Sequence, residues 1–152
     1  MLLGGVLLGL AAASWSGSWT PTSMAGAMAP AAPADTAAAR AFSFCHTGGG
    51  VNCVVDGDTF WIDGEKVRIA DIDAPETHPS RCPEEARLGN AATRRLQALL
   101  SAGPVTLEAA DRDTDRYGRK LRIVSRGGQS IGGQLVEEGL ARRWTGHREP
   151  WC

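Results

Sequence analysis

The first 40 residues almost lack charge. Asp35 and Arg40 are the only ionised side chains there, although the chain carries 16 basic and 17 acidic residues in all. The chain also lacks net charge, at −1, which excludes a broadly basic nucleic-acid binder and an acidic tail. It has no apolar run of about 20 residues, the length a helix needs to span a bilayer. Residues 2–13 are wholly apolar or glycine but stop short of that. No Lys or Arg precedes this run, so the basic start of an ordinary export signal is missing. There is no C-x-x-C pair, no internal repeat and no heptad pattern. Those absences exclude zinc knuckles, solenoids and coiled coils.

What is present divides the chain into three. Residues 1–29 read as a signal peptide or hydrophobic anchor, with small-residue cleavage sites at Ala11-Ala12-Ala13 and Ala25-Gly26-Ala27. Residues 30–41 form an Ala/Pro-rich linker, and the whole N-terminal segment is expected to be disordered, with weak helicity near 34–41. Residues 42–152 hold nearly all the charge and form one domain. A periplasmic or secreted protein is the expectation, with membrane anchoring through residues 2–13 as the alternative. Four cysteines in the domain fit an oxidising compartment and allow three pairings. Cys45 and Cys53 flank a glycine-rich turn and are expected to pair, which leaves Cys82 with Cys152. A metal site of Cys45, His46 and Cys53 is the weaker alternative.

Strands are expected at 51–55, 59–62 and 65–72, the second and third joined by the hairpin signal Asp63-Gly64. A helix follows from Pro83, with a buried stripe at Leu88, Ala92, Leu96 and Leu99, and ends at Gly103-Pro104. Strands near 105–110 and 120–125 come next. A second helix from Ser130 carries Ile131, Leu135 and Val136 and ends at Gly139. The class is α+β, mainly β. A five-stranded barrel with a helix between strands three and four, and a second helix after strand five, is the OB arrangement.

Three polar segments interrupt the apolar strands: 56–59, 68–77 and 115–119. Asp58, Asp73 and Glu76 lie at strand ends, where a barrel mouth gathers them. Carboxylates drawn together repel unless a cation intervenes, and oxygen ligands suit Ca²⁺ or Mg²⁺. Arg68 and Arg119 add planar forks that match phosphate oxygens. Taken singly, each of these residues also reads as an ordinary turn or surface residue. Strict alternation puts Arg68 and Asp73, five positions apart, on opposite strand faces. They share a site only if the strand bends near 70–73.

Four ordered motifs carry a resemblance. They are Val55-Asp56-Gly57-Asp58-Thr59, Val67-Arg68-Ile69-Ala70-Asp71-Ile72-Asp73-Ala74-Pro75-Glu76-Thr77, Thr114-Asp115-Arg116-Tyr117-Gly118-Arg119 and Leu135-Val136-Glu137-Glu138-Gly139-Leu140-Ala141. Over about 51–144 the chain resembles the thermonuclease (staphylococcal-nuclease-like) family. The resemblance implies an OB-fold monomer that hydrolyses DNA and RNA phosphodiesters with Ca²⁺. It implies Asp58, Asp73 and the carbonyl of Ala74 as Ca²⁺ ligands, with Asp56 behind them. Glu76 would be the general base or orient the water, and Arg68 and Arg119 would hold the phosphate. Tyr117 would lie beside the nucleotide. Two tyrosines known in the family after the last strand are missing here, where Trp144-Thr145-Gly146-His147 stands. Trp144 is therefore the candidate stacking face, or else a core residue. The Cys82–Cys152 link is expected to hold the C-terminus in place of the family's final helix. A non-catalytic OB module that binds nucleic acid in the envelope is the alternative, and the presence of all five catalytic-type residues argues against it.

Overall fold

The structure is a computed structural model and describes residues 35–46 and 49–152. The expected signal or anchor over 1–29 lies outside the described residues, as does the linker up to residue 34. Within the expected linker, β1 (Asp35–Ala37) is extended and pairs antiparallel with β7 (Val105–Thr114), with Asp35 opposite Leu107. Weak helicity over 34–41 is therefore corrected to strand at those three residues.

β2 (Ser43–Phe44) runs parallel to β3 (Cys53–Val54), and β3 pairs antiparallel with β4 (Thr59–Ile62). β4 turns into β5 (Glu65–Ile69) through Asp63 and Gly64, whose φ angles are 51° and 82°. Both central residues of that hairpin lie in the left-handed region, as a two-residue turn between twisted strands requires. β5 runs parallel to β8 (Lys120–Arg126), and β7 lies antiparallel on the other side of β8. A short β9 (Gln129–Ser130) folds back antiparallel on the end of β8, Ser130 opposite Ser125.

The resulting order is β1-β7-β8-β5-β4-β3-β2. Its five inner strands are those expected from the sequence. The closed barrel is not: among the described residues no ladder joins β7 to β3. Short flanking strands are the physical reason, since β1 takes the free edge of β7 and β2 that of β3.

The expected third strand, 65–72, is in fact two pieces. β5 ends at Ile69, the chain turns at Ala70–Asp71, and β6 (Ile72–Asp73) leaves the main sheet. β6 pairs instead with β10 (Arg142–Arg143), Asp73 opposite Arg142. This is the bend that strand alternation demanded.

α1 (Pro83–Ser101) begins with Cys82 as its N-cap and buries Glu85, Gly89, Ala92, Leu96, Leu99 and Leu100. Ala92, Leu96 and Leu99 of the expected stripe are buried, whereas Leu88 is only half-buried, because Glu85 and Gly89 take the buried face in the first turns. α2 (Ile131–Glu137) is capped by Ser130, whose hydroxyl accepts from the Gly133 N–H at 2.9 Å. Leu96, Leu100, Ile131 and Leu135 from the two helices meet Phe60, Val67, Ile69 and Val124 of the sheet in one core. The disulfides are Cys45–Cys53 and Cys82–Cys152. With both Cys45 and Cys53 in a disulfide, the metal-site alternative is excluded.

Candidate functional site

The turn between β3 and β4 aims a carboxylate inward. Asp56 Oδ1 accepts from the Asp58 N–H at 3.1 Å, an Asx turn that fixes the backbone. Gly57 sits where any side chain would collide, since a Cβ there would lie 2.6 Å from Ala92 Cβ and 2.7 Å from Ala74 Cβ. The loop thus packs directly on α1, and Asp58 is left 4% exposed.

Register places Arg68 of β5 opposite Thr59 of β4. Arg68 is 7% exposed, so the surface reading of this residue does not hold. Its Nη2 donates to Asp58 Oδ2 at 2.9 Å and lies 3.6 Å from Asp73 Oδ1. A guanidinium so buried is tolerated because it is paired. The turn at Ala70–Asp71 swings Asp73 back toward Arg68, and the Ala74 N–H closes the group by donating to Asp58 Oδ2 at 3.4 Å.

On the other side, Asp58 Oδ1 accepts from Thr59 Oγ1 at 2.7 Å, and Thr59 Oγ1 accepts from Arg119 Nη1 at 3.3 Å. Arg119 closes the turn before β8. Asp115 builds that turn, accepting on Oδ1 from the N–H groups of Tyr117 and Arg119 and on Oδ2 from Arg119 Nε at 2.7 Å. Burial opposes the Asp115 charge, but its hydrogen bonds with Arg119 and Tyr117 outweigh it and hold the carboxyl below its ordinary value.

Glu76 follows β6 on a loop braced by Glu85 of α1. The buried Glu85 carboxylate accepts from the Arg81 N–H at 2.5 Å, and the Glu76 N–H reaches it at 3.5 Å, the limit of hydrogen bonding. Glu76 Oε1 is ion-paired with Arg148 Nη1. Arg148 Nε also stands 3.0 Å from Asp73 Oδ1, and Trp151 Nε1 donates to Asp73 Oδ2 at 3.3 Å.

These groups line or underlie one open cleft of about 1140 Å³. Its walls carry six basic side chains, Lys66, Arg68, Arg112, Arg116, Arg119 and Arg148, against four acidic ones. Asp58 and Asp73 lie beneath it, so the cleft gathers charge of both signs, with the arginines outward of the buried carboxylates. Tyr117 is 68% exposed at the rim, its ring within 4.8 Å of the Arg116 guanidinium and 5.4 Å of that of Arg119. Trp144, 40% exposed, lies 5.4 Å from the Arg68 guanidinium. It is a residue of the mouth and not of the core.

Burial, then the neighbouring Asp58 carboxylate, push Asp56 up to about 7. Burial likewise raises Asp73 above its ordinary value, against the pull of Arg148 and Trp151. Asp73 Oδ1 is buried, and neither arginine near it is aligned for a hydrogen bond. Asp58 and Asp73 meet at the Arg68 guanidinium, and the unsatisfied buried Oδ1 of Asp73 is an oxygen donor of the kind a hard cation such as Ca²⁺ takes. Among the described residues no three His, Cys, Asp or Glu side chains cluster as a metal site.

The sequence brought forward Asp58, Arg68, Asp73, Ala74, Glu76 and Arg119, and the structure gathers all six. It missed Thr59, Glu85, Arg148 and Trp151. Thr59 was readable as the neighbour of Asp58. Arg148 and Trp151 had no motif to mark them, and only the Cys82–Cys152 pairing pointed their segment back toward the site.

Residues 66–150 match the family model described as staphylococcal nuclease homologue. The chain belongs to the staphylococcal nuclease homologue family. Domains of this family are OB-folds. The nuclease-homologue segment contains Arg68, Asp73, Ala74, Glu76, Tyr117, Arg119, Trp144 and Arg148, whereas Asp58 precedes it. The chain is 38% identical over 96 residues to a thermonuclease of Staphylococcus intermedius, covering 60% of this chain and 56% of that protein. It is 38% identical over 94 residues to endonuclease YncB of Bacillus subtilis, covering 58% and 44%. It is 39% identical over 93 residues to the succinoglycan biosynthesis protein ExoI of Rhizobium meliloti, covering 58% and 48%. The chain thus spans about half the length of the curated relatives it matches.

Proposed function

We propose that the chain is a nuclease that hydrolyses phosphodiester bonds of DNA and RNA and depends on Ca²⁺. The observation that carries this reading is one unbroken run of polar contacts. It passes from Arg119 through Thr59, Asp58, Arg68, Asp73 and Arg148 to Glu76. Family membership and the names of two relatives, a thermonuclease and an endonuclease, support the same reaction class.

In this reading Asp58, Asp73 and the Ala74 carbonyl would hold the cation. Ca²⁺ would supply positive charge against the negative charge that builds on the phosphoryl oxygens. Glu76 accepts a proton from the attacking water as the new P–O bond forms, and the P–O bond to the leaving oxygen breaks, that oxygen taking up a proton from solvent. Arg68 and Arg119 bind the non-bridging oxygens, with Arg119 on the leaving-group side, and oppose the added charge of the transition state. Asp58 orients Arg68 directly and Arg119 through Thr59, so both forks are fixed before substrate arrives. Tyr117 and Trp144 at the rim offer faces for bases. Two disulfides support a periplasmic or secreted setting, and the chain is read as a monomer.

The test is steady-state cleavage of denatured DNA by the full chain and by Glu76→Gln. The expected result is a loss in kcat of about 10²–10⁴-fold with KM little changed. Equal kcat in the two proteins would remove Glu76 from the chemistry.

A further inference from the structure

Residues 144–152 cross the mouth of the site as a strap fixed at both ends. At one end β10 pairs with β6, Arg142 opposite Asp73. At the other, Cys152 is joined to Cys82 at the start of α1. Between them Arg142 closes the strap on itself, donating from Nη1 to the Pro150 carbonyl at 3.0 Å, with its guanidinium 3.8 Å from the Trp151 ring centre. The indole N–H of Trp151 then donates to Asp73 Oδ2. This bracing holds the backbone of Arg148 beside the two carboxylates. Its guanidinium lies between Asp73 and Glu76 and touches both.

We propose that Arg148 is a tethered cation that competes with the divalent metal for Asp73. The inference rests on the Ca²⁺-dependent reading of this site. Asp73 Oδ1 is the oxygen without a hydrogen-bond partner, and it is also the one that Arg148 approaches to 3.0 Å. A monovalent guanidinium there offsets part of the combined Asp73 and Glu76 charge. A divalent ion using the same oxygen meets that positive charge at close range, in a site where two of the three carboxylates are almost fully buried. Repulsion between them is weakly screened. Metal entry therefore requires Arg148 to leave Asp73, and its departure also frees Glu76 Oε1. The metal would thus arm the base by displacing the arginine. Because the strap holds Arg148 at the cleft wall, the displaced guanidinium remains beside the phosphate position, next to Arg68 and Arg119.

The experiment is calorimetric titration of the full chain with CaCl₂ in the absence of nucleic acid. Four proteins are compared: wild type, Arg148→Gln, Arg148→Lys and Cys152→Ser. Arg148→Gln removes the competing charge and is expected to bind Ca²⁺ about tenfold tighter. Arg148→Lys keeps a charge without the fork and should lie between the two. Cys152→Ser releases the far end of the strap and should shift affinity in the same direction as Arg148→Gln. A residue that merely supports the fold would lower affinity or leave it unchanged when removed. Affinity equal to or weaker than wild type in Arg148→Gln overturns the inference and leaves the nuclease reading intact. Failure of all four proteins to bind Ca²⁺ overturns the metal reading itself, and this inference with it.

Discussion

Arg68 is hydrogen-bonded to Asp58 and lies beside Asp73, so its role at the site and its role in the fold are joined. Replacing it with Lys leaves one point charge where a fork reached Asp58 and neared Asp73. Arg68→Lys is expected to lose about 10²–10³-fold in kcat, as loss of one oriented transition-state donor does. Near-wild-type turnover would show that charge alone suffices. Asp115 gives a prediction in pH. Its folded-state value is depressed, so its contribution to stability is present above the unfolded value of about 3.9 and is lost as pH falls through the lower folded value. The difference in Tm between wild type and Asp115→Asn should be largest near neutrality and shrink on acidification. A difference that grows toward low pH would contradict the assignment. At this scale most of the site was legible, because Asp58, Arg68, Glu76 and Arg119 sit in short motifs with turn chemistry beside them. Arg148 was not legible, since a lone arginine near a chain end looks the same whether it meets solvent or a buried carboxylate.

At the scale of elements, the break between β5 and β6 decides whether a site exists. Without the turn at Ala70–Asp71, Asp73 would face away from Arg68. Alternation in the sequence showed that a bend was needed near 70–73 but could not supply it, because the same alternation also reads as one continuous strand over 65–72. α1 positions the other half of the site. Gly89 lets the helix approach the loop backbone: a Cβ there would lie 2.8 Å from the Pro75 carbonyl oxygen and 2.9 Å from that of Glu76. Neither acceptor is a movable side-chain end, so Gly89→Ala must push the Glu76 loop off the helix. The expected cost is about 1–3 kcal/mol of stability with a fall in kcat, read by thermal melting and initial rates together. Unchanged melting would mean that helix and loop are not in the close contact described. The stripe on α1 was read correctly at Ala92, Leu96 and Leu99 and missed only at its start, where Glu85 and Gly89, which meet the Glu76 loop, are buried in place of Leu88.

The whole molecule concentrates charge without accumulating it. Net charge is −1, yet six cations face the cleft, so binding of nucleic acid should be focused at one site. The same economy appears in the architecture. Short strands β1 and β2 occupy the edges through which a five-stranded barrel would close, and the Cys82–Cys152 link ties the last residue to the helix that braces Glu76. The strand order was legible from periodicity and turns. The open edges were not, because β1 and β2 comprise three and two residues and carry no pattern of their own. The central claim is that this arrangement hydrolyses phosphodiesters with a cation held by Asp58 and Asp73. It is tested most directly by the single-turnover cleavage rate of an end-labelled single-stranded oligodeoxynucleotide, measured against Ca²⁺ concentration for the full chain and for Asp73→Asn. A saturable rise from a chelator baseline near zero, with the rise lost or moved to much higher Ca²⁺ in Asp73→Asn, is the expected result. A rate in chelator equal to that in Ca²⁺, or an intact oligonucleotide at saturating Ca²⁺ and enzyme, would contradict it.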